Sequence, residues 1–147
     1  MSAILVDSPA PTRPYAPRSS AARWTGRILT GIVVAFLAFD VGIKLAVAGV
    51  AVQGTVQLGW PAHHVLTIGL IGLACLVLYL IPRTAPLGAV LWTGYLGGAV
   101  ATQLRLDQPL FGYVLFPTYV GALIWLSLYL RDARVRALVQ GIIRPAR

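Results

Sequence analysis

The segment VLTIGLIGLACLVLYLIPRTAPLGAVLWTGYLGGAVATQL (residues 65–104) decides the fold. It holds two apolar runs, Val65 to Ile81 and Ala85 to Leu104, and a single charged residue, Arg83, in the turn between them. A helix rises about 1.5 Å per residue and the hydrocarbon core of a bilayer is about 30 Å thick, so about 20 residues make a crossing. The runs hold 17 and 20 residues, and Ala62, His63 and His64 extend the first into the interface. Strands would alternate polar and apolar residues, which these runs do not. Backbone groups in lipid must also be satisfied internally, and that selects helices here. Pro82-Arg83-Thr84 reverses the chain, with Thr84 placed to cap the second helix.

Working outward, Ile28 to Val50 and Pro109 to Leu130 are further apolar runs of 23 and 22 residues. Gly59, Trp60 and Pro61 punctuate the first join. Arg105 to Gln108 form a short polar loop ahead of Pro109, which suits the first turn of the last helix. Short loops force antiparallel neighbours. The expected fold is therefore all-α: a polytopic membrane protein with an antiparallel four-helix transmembrane bundle, its spans at about 28–50, 62–81, 85–104 and 109–130. Residues 1–23 read as a disordered tail rich in Pro and Arg, 24–138 as the membrane domain and 139–147 as a basic tail. Pro117 is expected to kink the last span.

Composition agrees with that assignment. Of 147 residues, 58% are hydrophobic and 11% charged, against about 25% charged in an ordinary soluble domain. One cysteine, Cys75, excludes an internal disulfide and a cysteine-rich zinc site, and reads as a small packed residue. The net charge is +8, but ten arginines flank the apolar runs on one side (Arg13, Arg18, Arg23, Arg27, Arg83, Arg131, Arg134, Arg136, Arg144 and Arg147) against Arg105 alone on the other. The positive-inside bias then puts both termini in the cytoplasm. Topology and anionic headgroups account for these arginines without nucleic acid. Ala46-Val47-Ala48 matches a signal-peptidase pattern, but Asp40 and Lys44 interrupt the approach to it, and a retained first helix fits the charge bias better.

Asp40 and Lys44 are the only ionisable residues deep in a span. A spacing of four puts them on one helix face, where they neutralise each other; either alone costs roughly 2.5 to 3.5 kcal/mol at the bilayer centre. The pair reads equally as a polar site inside the protein and as a structural ion pair. With Tyr95, Thr102 and Gln103 it makes the candidate intramembrane polar site. Gly94, Gly97 and Gly98 read as a surface for close helix packing. His63, His64, Arg105 and Tyr113 are candidates at the outer face. Adjacent histidines point about 100° apart on a helix and cannot chelate one ion together, so no metal site is expected. Trp24, Trp60, Tyr79, Tyr113 and Tyr129 fall near span ends, as belt aromatics do. No nucleotide-binding loop, nucleophile elbow or pair of catalytic carboxylates is present, so no catalytic residue is assigned and an enzyme is the less favoured reading.

The runs CLVLYLIPRT (residues 75–84) and WTGYLGGAVAT (92–102), with PLF (109–111), LFP (115–117) and YLRD (129–132), resemble the bacterial DoxX-like family. The resemblance covers about residues 24 to 138. It implies a small four-helix integral membrane protein. The family takes its name from a membrane subunit of a thiosulfate:quinone oxidoreductase, so the resemblance also implies an accessory subunit of a quinone-linked or other redox system. A quinone is then the possible cofactor, and a membrane or redox protein the possible partner. Gln103 and Tyr113 stand where many relatives carry His, and neither titrates near neutral pH. The alternative functions are binding or transport of a small lipophilic molecule and a purely structural role in the bilayer; oligomeric state is left open.

Overall fold

The computed structural model describes residues 20–143. Six α-helices follow in order: α1 (Ser20–Leu45), α2 (Gly49–Gln57), α3 (His64–Leu80), α4 (Ala85–Arg105), α5 (Phe116–Arg131) and α6 (Ala133–Ile143), with a π-helical turn at Leu110–Val114 ahead of α5. No strand occurs among the described residues. The tail expected over residues 1–19, and Arg144 and Arg147, lie outside the described residues. Residues 20–23 belong to α1, and α6 runs across the boundary drawn at residue 138.

α1 packs against α3 and α5, and α4 packs against the same two helices from the other side. Their shared interior holds Val33, Leu37 and Val41 from α1, Cys75, Leu76 and Tyr79 from α3, Ala89 and Trp92 from α4, and Val120, Ile124 and Leu128 from α5. A chain cut after Ala48 would lose the α1 part of this core. The tightest approach is between α3 and α4: a methyl group at Gly88 would lie 2.4 Å from the Tyr79 backbone nitrogen. Tyr79 is fully buried, and its hydroxyl meets Ser127 Oγ at 2.6 Å. It is a core residue joining α3 to α5, not a belt aromatic.

The outside is as apolar as the inside. Ile28, Ile32, Phe39, Leu66, Leu70, Val77, Leu87, Val90 and Leu126 are all exposed on the four long helices. Water does not tolerate so continuous an apolar surface, and lipid does. Two 22-residue stretches, Trp24–Leu45 and Leu110–Arg131, are long and apolar enough to cross a membrane; α3 is apolar but shorter. α4 has the length, but Thr93, Gly94, Gly97, Gly98, Thr102 and Gln103 dilute its apolarity.

The first apolar run is not one helix. α1 stops at Leu45, Val47 takes a positive φ of 50°, and α2 starts at Gly49. Ala46 to Val52 are all small or β-branched apolar residues, so the break itself leaves no polar signature. At the other join, the Thr84 hydroxyl donates back to the Leu78 carbonyl at 2.8 Å and makes no side-chain cap on α4. The discontinuity expected at Pro117 falls two residues earlier, at Leu115, with Pro117 in the first turn of α5. Proline tolerates that position because its missing N–H would have no partner there.

Candidate functional site

The end of α1 carries the charge pair. Lys44 Nζ donates to Asp40 Oδ2 within the last two turns, so the pair sits closer to a helix end than the uninterrupted span of 23 residues implied. Gly69 of α3 sets its position: a methyl group there would come within 2.9 Å of Lys44 Cβ. α3 can approach α1 at this level only because Gly69 lacks a side chain.

Both charged residues face a cavity of about 360 Å³. α4 supplies Trp92, Tyr95 and Thr102 to its wall, α5 supplies Pro117 and Val120, and α2 lies over it with Thr55, followed by Leu58 of the next loop. The walls are otherwise apolar, as is usual for a site that takes an organic molecule. Thr55 and Thr102 spend their hydroxyl protons on Ala51 and Gly98 carbonyls at 2.8 Å, so toward the cavity they can only accept. Trp92 is fully buried, and its Nε1 is the one buried side-chain nitrogen or oxygen atom without a hydrogen-bond partner among the described residues. Its ring stands edge-to-face with Tyr95 at 5.0 Å. An orphaned buried donor costs roughly 1 to 3 kcal/mol, and such cases call for a reason.

Of the residues singled out in the sequence, the cavity brings together Asp40, Lys44, Tyr95, Thr102 and Gly98. Gln103 is half-buried and does not line it. Gly94, Gly97 and Gly98 are not packing positions within the chain: a methyl group at any of them meets nothing within 4 Å. The close approaches between helices lie at Gly26, Gly69, Gly72 and Gly88. The His63 and His64 rings lie tilted against each other at 4.2 Å, and His64 meets Trp60, which lines the cavity, edge-to-face at 6.0 Å; neither histidine lines it. Tyr113 is exposed on the π-helical turn. Arg105 is a clasp: its Nη2 donates to the Leu58 carbonyl at 3.1 Å, which ties the end of α4 to the loop after α2.

Trp92 and α2 were missed by sequence reasoning. The tryptophan lies mid-run, where nothing separates a lining residue from a packed one, and of α2 only Gly49 and Val50 fell within the first expected span, the rest being left in the join before Gly59. Chemically, the cavity offers an apolar body space and, at one end, ammonium, carboxylate, phenol and threonine groups. It fits a small amphiphile.

No curated protein and no solved structure matches the chain. The DoxX-like family profile matches residues 28–127, which takes in α1 to α4 and most of α5. Matched over more than half its length and with an exterior that calls for lipid, the chain belongs to the DoxX-like family and is a membrane protein.

Proposed function

We propose that the protein is a four-helix bundle spanning a bacterial inner membrane, with both termini in the cytoplasm, and that it binds a small lipophilic molecule with a polar head. α1, α3, α4 and α5 are the spans. One observation carries the binding reading: the cavity lined by these helices is mostly apolar, and Asp40, Lys44 and Tyr95 line it together with Thr55 and Thr102. The apolar body of a ligand would fill the apolar part of the cavity, while a carbonyl or hydroxyl head would meet the Lys44 ammonium and the Tyr95 hydroxyl. A quinone fits that description, and so do other lipophiles with one polar end. The accessory-subunit role implied by the family's namesake adds a redox protein to this picture and uses the same cavity.

The experiment is purification in native-lipid nanodiscs, extraction, and mass spectrometry of small molecules and co-purifying proteins. Wild type is expected to retain a lipophile beyond the bulk lipid. Asp40→Asn and Lys44→Met should each lower thermal stability, because each leaves one uncompensated charge in low dielectric. Lys44 can snorkel toward the helix end, so Asp40→Asn should be the milder loss. The double variant removes both charges, should recover most of the stability, and should still fail to retain the lipophile. Retention by the double variant at wild-type levels makes the pair structural, and a wild type that retains no lipophile ends the binding reading. A reproducible oxidoreductase in the same preparation supports the redox role.

A further inference from the structure

We propose that the cavity takes its ligand sideways from the bilayer, through a mouth between α3 and α4 whose threshold is Gly98. The proposal rests on the binding reading above and adds the route. A residue that both lines a cavity and is exposed sits at its rim or forms a wall one side chain thick. On α3 that residue is Ile71, and on α4 it is Gly98. Gly72, one position on from Ile71, faces inward, where a methyl group would come within 3.8 Å of the Tyr95 hydroxyl. Gly98 lies one turn before Thr102 on the α4 edge that carries Tyr95, and a methyl group there meets nothing within 4 Å. Gly98 and Ile71 each lie seven residues from a helix end, about 10 Å along the axis, which is the depth of the acyl chains and not of the aqueous surface.

Two features make lipid the source. The exterior around the mouth is apolar, with Leu70 on α3 and Leu91 on α4 both exposed. At the aqueous end α2 and the loop that follows it lie over the cavity, with exposed Trp60 at the rim, and Arg105 holds that loop by its bond to Leu58. The absence of a side chain at residue 98 therefore has a purpose that packing does not supply. Gly94 is also exposed and also meets nothing, yet it lies outside the cavity lining. It is the internal control.

Besides Trp60, lining residues are exposed between α1 and α5. There Phe36 and Phe116 close the wall with an edge-to-face contact at 5.8 Å. That side is shut by two rings, whereas the α3–α4 side has a residue with nothing to move.

The test uses menadione, a small lipophilic quinone that quenches tryptophan emission on contact. The full-length chain, with Trp24, Trp60 and Trp125 each replaced by Phe, is placed in nanodiscs so that only buried Trp92 reports. Stopped-flow quenching then gives an amplitude, which reads occupancy, and a rate, which reads access. Gly98→Leu should slow quenching on the order of tenfold or more, as expected when a route must wait for a side chain to move. A Cβ at residue 98 meets nothing within 4 Å, the backbone there is helical, and leucine is a better helix former than glycine, so the variant should keep its melting temperature. Gly94→Leu should leave the rate at the parent value. A Gly98→Leu rate equal to the parent overturns the proposal. If Phe36→Ala then accelerates quenching, the route lies between α1 and α5; if Arg105→Ala does so, it lies at the aqueous end. Absence of Trp92 quenching in the parent protein overturns the binding reading itself, and the route with it.

Discussion

A methyl group added at Gly88 would touch backbone atoms of Leu78 and Tyr79, which cannot swing aside as a side chain can. Gly88→Ala must therefore push α4 away from α3, and overpacking of this kind costs roughly 1 to 3 kcal/mol. Gly94→Ala and Gly97→Ala meet open space and should be neutral or gain up to about 1 kcal/mol from helix propensity alone. Thermal unfolding in one detergent, with all three variants side by side, checks the contrast; equal effects at Gly88 and Gly94 would refute the assignment of the close contact. The same comparison shows what was illegible at this scale. A glycine that lets two backbones meet and a glycine that faces lipid are the same letter. The difference lies in which neighbour arrives opposite, and only the packed structure says so. Asp40 and Lys44 were legible because charge in an apolar run is costly wherever its neighbours are. Trp92 was not, because an orphaned donor is a property of its surroundings.

At the scale of elements, the apolar runs marked out α3 and α4 to within a residue or two, since length and charge placement decide them. Two events inside the runs escaped. The break at Val47 separates α1 from α2 without any polar residue to announce it, and the π-helical turn before α5 replaces a simple proline kink. Both lie at the same end of the molecule and shape the cover of the cavity. The loop from Leu58 to Trp60 is held by backbone bonds to Gly54, Val56 and Thr55, and by the Arg105 clasp. Gly59 sits under that guanidinium at a positive φ of 78°, where a methyl group would come within 2.7 Å of Arg105 Nη2. Removing the clasp should loosen the cover and leave the rest intact. In Arg105→Ala, amide exchange at residues 58–60 is expected to rise several-fold while the amides of α3 and α4 between Val77 and Trp92 keep wild-type protection. Unchanged exchange in the loop would show that the arginine holds nothing.

Across the whole molecule, the two ends differ in charge more than in shape. Arg131 donates to the Tyr79 carbonyl at 3.1 Å and lies over the Tyr79 ring at 4.8 Å, and Arg136 donates to the Tyr129 and Leu130 carbonyls. These arginines thus cap helices as well as setting the charge bias. With the end nearest α6 in the cytoplasm, a reporter active only in the periplasm should stay silent when fused after Arg147 and become active in the loop between Leu58 and Ala62. An active reporter at the C-terminus would invert the topology. The charge pair acquires a further meaning when the chain is considered in time. α1 leaves the ribosome before any helix that will enclose it, so for some seconds Asp40 and Lys44 have no cavity to share. Their partners are nevertheless already present, one turn apart on the same helix. A pair divided between two helices would expose a bare charge to lipid until the second helix arrived; α1 carries its own counter-ion into the membrane.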